Sequence, residues 1–287
     1  MGIQIPQKAV RQLKKELPKY YAKNSDSPLW INVSEYSDLL AFDPISNQIE
    51  ELMQIVQKDP EFNFKLRTKV ANIHSFLNYD GKDQVQVTFS LNTEYVIKKF
   101  EKDSSSLDQM IAAINALIQK GGYKILIAIE PIIKYKGYGA DYRQLIKRMK
   151  KEIDLSKVVR IKIGTVRYKT RLKNYIKNVH PKSGLFSPNQ QLVEPEPGDK
   201  RWRYSRDERL KIYKVIQDEL KSVPSVKLGI ASEYPELWDE LGLDKTDIHS
   251  SVVYQYGDDK KMTARDNLSK LIYSSSAKQG CTLNDNH

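Results

Sequence analysis

The sequence predicts a parallel α/β sheet, either doubly wound or curled into a barrel. Three observations point there: short Val-, Ile- and Phe-rich runs recur along the chain, helical patterns alternate with them, and polar side chains follow most of the runs. The runs cover 30–34, 62–68, 85–90, 124–130, 158–164 and 226–231, read as six strands. Helices are expected over 6–22, 45–58, 104–120, 138–153, 168–179 and 205–222, with a short helical turn around 70–77. Asp43-Pro44 and Ser104-Ser105-Ser106 are start signals, and Gly121-Gly122 is a stop. This alternation implies right-handed crossovers between parallel strands. Residues 183–200 and 249–287 lack lasting periodicity, so the expectation is a body of 1–248 with one loop excursion, followed by a flexible tail.

The chain has 287 residues, 40% of them hydrophobic, which matches one large domain able to bury a core. Its single cysteine, Cys281, rules out an internal disulfide, a cysteine-based zinc site and an iron–sulfur cluster held by the chain's own thiolates. The start has no basic segment leading into an apolar one, and nowhere do 18 apolar residues run together. A cytoplasmic protein with no membrane partner is expected. The four histidines, at 74, 180, 249 and 287, lack metal-ligand spacing, so no metal site is expected. No phosphate loop, dinucleotide fingerprint or nucleophile elbow appears either.

In a parallel α/β sheet the ligand site forms at the carboxyl ends of the strands. Here those ends carry Glu35, Tyr36, Ser37 and Asp38, then Lys69, then Ser90 and Asn92, then Glu130, then Thr165 and Arg167. Such a set suits a zwitterion bearing a ribose. Each residue also has a plainer role: Ser37 and Asp38 as turn caps, Lys69 in solvent, Asn92 in an Asx turn, Glu130 facing water.

The segments Ser37–Asp43, Leu66–Ile73, Phe89–Ile97 with Phe100-Glu101, and Gly122–Ile133 resemble, in order, segments of the spore photoproduct lyase family. His180-Pro181-Lys182-Ser183 and 198–204 resemble its C-terminal half, so the likeness covers about residues 8–243. The resemblance implies an incomplete parallel (β/α) barrel of the radical S-adenosylmethionine type, with S-adenosylmethionine lying across the strand ends. By similarity Ser37, Asp38, Lys69, Ser90 and Asn92 surround it. Lys69 suits a carboxylate or ribose oxygens, and the hydroxyl and amide groups suit the ammonium and sugar. The family's three-cysteine loop, which holds a [4Fe–4S] cluster, has no counterpart in this sequence, and Glu35 stands where bacterial members carry a hydrogen-donating cysteine.

The net charge is +11, and residues 143–182 hold 14 Lys or Arg against only Glu152 and Asp154. Concentrated charge of this kind suits a polyanion, the alternative being a solvated lysine-rich face. The resemblance makes that polyanion DNA. Candidate contacts are Arg143, Lys147, Arg148, Arg167 and Lys169, followed by Lys200, Arg201, Arg203 and Tyr204, where aromatic and cationic residues interleave. Three functional readings stay open. One is a DNA-repair-type lyase barrel whose cluster comes from a partner polypeptide or a missing segment. The others are a catalytically inactive nucleic-acid-binding pseudoenzyme and a truncated gene product.

Overall fold

The computed structural model describes residues 30–34, 37–60, 62–186, 192–193 and 201–244. The expected helix at 6–22, the tail at 249–287, and Glu35, Tyr36, Lys200 and Cys281 lie outside the described residues. In chain order the first elements are β1 (Trp30–Asn32), α1 (Leu39–Ser46), α2 (Gln48–Lys58), β2 (Asn63–Thr68), α3 (His74–Leu77), β3 (Val85–Leu91), α4 (Glu94–Phe100) and α5 (Leu107–Lys120). They are followed by β4 (Tyr123–Ile132), α6 (Tyr138–Glu152), β5 (Val158–Thr165), β6 (Arg167–Lys169) and α7 (Thr170–Val179). The chain continues through β7 (Leu192–Val193), β8 (Arg201–Tyr204), α8 (Arg206–Leu220), β9 (Leu228–Ile230) and α9 (Pro235–Glu240).

The main sheet has the order β1-β2-β3-β4-β5-β9, every neighbouring pair parallel, and curls into a half-barrel. All six of the expected strands are present. Register sorts their side chains into two faces, because partners in a parallel pair point the same way. One face carries Phe64, Leu66, Val87, Phe89, Ile125, Ile127, Ile161 and Ile163, all buried against the helices. Burying each such side chain is worth about 1.5–3 kcal/mol relative to exposure. Helix α5 shows how the outer layer is specified. Ser106 and Gln109 close a reciprocal capping box at its start, and Leu107, Met110, Ile111, Ile114 and Leu117 form the buried stripe.

Two expectations are corrected. The helix read over 45–58 is two helices broken at Asn47, whose left-handed backbone (φ 52°) ends α1. Asp43 is a start signal that acts through space: its buried carboxylate accepts the Ile49 N–H at 2.8 Å and the Ser75 hydroxyl at 2.6 Å. The helix read over 168–179 begins only at Thr170, because Arg167–Lys169 pair antiparallel with Arg201–Arg203. With β7, these strands form a second sheet of order β6-β8-β7, and β7 lies within the expected loop at 183–200. A three-residue strand is too short to show a period of two. Among the described residues no helix is long and apolar enough to cross a membrane.

Candidate functional site

The residues following β1, β2 and β3 meet at one rim. Asp38 caps α1 by accepting the Leu40 N–H at 3.1 Å, and its other oxygen accepts the Thr68 hydroxyl at 3.0 Å and the Lys69 N–H at 2.7 Å. The Lys69 ammonium donates to Glu101 at 2.7 Å and to the Glu130 carbonyl at 3.4 Å. Glu101 also accepts the Asn92 amide at 3.2 Å, so one carboxylate ties Lys69 to Asn92. The sequence reading had Glu101 only as the end of a similar stretch and missed this role.

These side chains differ in what they leave open. Asn92 is fully buried and saturated: its amide also donates to the Pro131 carbonyl, and its oxygen accepts the Thr93 N–H and the Tyr142 hydroxyl. Asp38 is engaged on both oxygens, and Ser37 is half-buried beside it. Ser90 is 4% exposed, and its hydroxyl has no hydrogen-bond partner among the described residues. A buried unpaired hydroxyl costs free energy that a ligand can recover. Ser90, and Lys69 by releasing Glu101, are therefore the groups that the rim leaves open to a ligand. Asp38 and Asn92 hold the rim in shape. A [4Fe–4S] cluster needs several thiolates, and the sequence holds one cysteine, so this chain's residues do not fit one.

Below the rim, the sheet's second face is polar. Register aligns Asn32, Lys65, Gln86 and Lys124 in one row, Arg67, Thr88, Leu126 and Arg160 in the next, and Ser90, Ala128 and Lys162 in a third. Glu130, 9% exposed, lies beyond them and binds Arg67 at 3.0 Å and Arg167 at 2.7 Å. Burial alone would raise the Glu130 pKa, but Arg167, Arg67 and Lys162 outweigh it and hold the carboxyl down at about 2. For Lys162, burial pushes the ammonium below the ordinary lysine range; Arg67, Arg167 and Lys65 act the same way, and Glu130 opposes them. Gly164 permits the close approach, since a Cβ there would sit 2.9 Å from the Ala231 Cβ and 3.0 Å from a Glu130 oxygen.

The basic block divides by what its cations touch. Arg143, Lys147 and Lys169 are exposed and have no ion-pair partner among the described residues, and Arg201 is half-buried in β8. Arg148 is engaged by Glu94, Asp108 and Glu152. Arg167 turns inward to Glu130. Arg203 is 4% exposed against Glu233, which also binds Arg209 and Tyr213, and Tyr204 is fully buried with its hydroxyl accepting the Lys134 N–H. These four residues were expected at a nucleic-acid surface; Arg148 lies in a surface ion-pair network, and Arg167, Arg203 and Tyr204 lie in internal ones. Sequence spacing names cations but not their counter-ions. A cavity of about 270 Å³ lies at the amino end of β9, lined by Gln217, Leu220, Val226, Leu228 and Leu243 among others, away from the carboxyl-end rim.

A family model described as spore photoproduct lyase matches residues 10–229, more than half of the chain. The chain belongs to the spore photoproduct lyase family. It is 29% identical over 150 residues to the spore photoproduct lyase of Clostridium acetobutylicum, covering 52% of this chain and 44% of that protein. Against the Bacillus subtilis lyase it is 22% identical over 178 residues, covering 61% of this chain and 52% of that one. The chain thus spans about half the length of the curated relatives it matches. Among solved structures it is similar to spore photoproduct lyase complexed with dinucleoside spore photoproduct and to a mutant with bound AdoMet and the same dinucleoside. Each match has a TM-score of 0.64 at 19% identity and covers 75% of this chain and 64% of the other. These likenesses establish the radical S-adenosylmethionine half-barrel as the fold.

Proposed function

We propose that this spore photoproduct lyase-like half-barrel binds S-adenosylmethionine at the rim of Ser37, Asp38, Lys69, Ser90 and Asn92, and binds nucleic acid through its exposed basic face. The observation that carries this reading is the bonded convergence of Asp38, Lys69 and Asn92 beside the unpartnered Ser90 hydroxyl. Lys69 supplies a cation for the amino-acid carboxylate, and Ser90 supplies a hydroxyl for the sugar or ammonium. Relatives with AdoMet or dinucleoside spore photoproduct bound make the same ligand classes reasonable for this chain. S-adenosylmethionine supplies radical-initiating chemistry when it is bound beside a reduced [4Fe–4S] cluster, and here that cluster has to come from a partner polypeptide or from sequence beyond this chain. The basic face then holds DNA of the repair-substrate type through Arg143, Lys147, Lys169 and Arg201, with Lys200 as a further candidate.

Titration calorimetry with S-adenosylmethionine tests the rim. We expect saturable binding that weakens at least tenfold in Lys69→Met and in Ser90→Ala, with each variant's melting temperature checked separately. No binding by the unaltered chain would overturn the reading. The second reading, a nucleic-acid-binding module without catalysis, is favoured by the single cysteine and by Glu35 at the place where similar proteins carry a hydrogen donor. Anaerobic iron–sulfur reconstitution separates the two: a cluster absorbance that forms only with an added cysteine-bearing partner supports the first. No cluster with any such partner supports the second.

A further inference from the structure

Lys162 stands on the inner face of the half-barrel among residues too short to reach its ammonium. Its register partners are Ala128 on β4 and Gly229 on β9, and Gly164 follows it on the same face of β5. Ala231 lies next to Gly164, since a Cβ at position 164 would meet the Ala231 Cβ at 2.9 Å. The same row ends at Ser90, whose buried hydroxyl has no hydrogen-bond partner among the described residues. Lys162 itself is half-buried and makes no hydrogen bond or ion pair among the described residues. The other cations of this face are engaged. Lys65 and Arg160 have partners of their own, Arg67 binds Glu130 at 3.0 Å, and Lys124 lies over the Trp30 ring at 4.8 Å. Glu130, which faces Lys162 from β4, is taken up by Arg67 and by Arg167 at 2.7 Å.

A lysine kept for its charge pairs with a carboxylate. One kept for its nitrogen needs the opposite surroundings: no ion pair, partial desolvation and other cations nearby. Burial pushes the Lys162 ammonium below the ordinary lysine range; Arg67, Arg167 and Lys65 push the same way, and Glu130 opposes them. We propose that Lys162 is a nucleophilic amine that forms an imine with a small carbonyl compound bearing a carboxylate. The lone pair of the neutral amine adds to the carbonyl carbon and makes the C–N bond. The carbonyl oxygen then leaves as water with the two amine hydrogens, so nothing is oxidised or reduced. Ala128, Gly164, Gly229 and Ala231 put no long side chain in the way of the carbonyl substituents. Arg67 gives one nitrogen to Glu130 and is 42% exposed along its side chain, so it keeps guanidinium N–H groups for the carboxylate. This chemistry goes beyond the binding of S-adenosylmethionine at the rim and does not require it.

The test is borohydride trapping on the full chain at neutral pH, with glyoxylate as the anionic probe and acetaldehyde as the uncharged one. Borohydride reduces an imine to a stable secondary amine, which peptide mass spectrometry assigns to a residue. We expect Lys162 to be labelled by glyoxylate at least tenfold faster than the exposed Lys147, reaching one adduct per chain. Lys162→Arg keeps the positive charge beside Glu130 but cannot form the imine, so this fast phase should vanish while the melting temperature stays close to that of the unaltered chain. Arg67→Gln should lower the preference for glyoxylate over acetaldehyde at least fivefold, a ratio from which any change in amine reactivity cancels. Trace acetylation of the unaltered chain across a pH series gives a readout free of variants, and in it Lys162 should outpace Lys147 near neutrality. Labelling of Lys162 no faster than Lys147 in either experiment, or a fast phase that survives Lys162→Arg, would overturn the proposal. An unchanged preference in Arg67→Gln would remove Arg67 and the carboxylate from it. None of those results depends on whether S-adenosylmethionine binds at the rim.

Discussion

At the scale of single residues, Glu130 shows two opposed effects whose magnitudes decide the outcome. Burial favours its neutral form, yet Arg167, Arg67 and Lys162 lower its pKa from 4.5 to about 2. A depressed carboxylate pKa stabilises the folded state above pH 4.5, and that stability is lost as the pH falls from there towards 2. The shift corresponds to about 3 kcal/mol near neutrality, at ~1.4 kcal/mol per unit. Glu130→Gln should therefore cost about 2–4 kcal/mol in urea unfolding at pH 7, because Arg67 and Arg167 lose their shared partner. The deficit should shrink steadily as the pH falls below 4.5, because the unfolded-state carboxyl takes up its proton there while the native one stays ionised down to about 2. A deficit that stays constant over that interval would mean that the ion pairs are not its source. The candidate site was only partly legible in the sequence for the same reason. Lys69, Ser90 and Asn92 follow apolar runs and so could be placed at strand ends, but Glu101 stands well past β3, within a lysine-flanked helix end, where nothing local marks it as a rim residue.

At the scale of elements, the six strands were legible because their covered face is apolar without interruption, from Phe64 and Leu66 through Ile125 and Ile127 to Ile161 and Ile163. The second sheet was not legible, because its strands are short and are joined by long-range pairing of Arg167 with Arg203 and of Tyr168 with Trp202. Local patterning carries no record of such pairing. Where β5 ends, the backbone itself is under constraint. Gly164→Ala would put a methyl group 2.9 Å from the Ala231 Cβ and 3.0 Å from the Glu130 carboxylate, and neither can move away freely. Overpacking of a filled site costs about 1–3 kcal/mol, so the melting temperature should fall by several degrees. The same variant should also weaken the Glu130 pairing, giving a flatter loss of stability below pH 4.5 than the unaltered chain shows. A variant that melts normally would mean that β5 and β9 can separate at no cost.

At the scale of the whole molecule, the charge of +11 overstates what a polyanion can meet, because pairing withholds part of it. Arg148 faces Glu94, Asp108 and Glu152, and Arg203 and Arg209 share Glu233 beneath the second sheet. Arg143, Lys147 and Lys169 are exposed and have no such partners among the described residues. Each cation that neutralises a phosphate releases counter-ions, so the slope of log affinity against log salt counts contacts at roughly 0.7–0.9 per phosphate. For binding to a single-stranded oligonucleotide, the combined change Arg143→Gln, Lys147→Gln and Lys169→Gln should lower the magnitude of that slope by about 2–3. Arg148→Gln alone should leave it unchanged, although it removes the same formal charge. Fluorescence anisotropy across a salt series, at constant pH and temperature, reads both. A slope that the triple change does not move would place the polyanion on another face. A slope that Arg148→Gln lowers as much as any one of the three would mean that a cation held by three carboxylates is still available to phosphate.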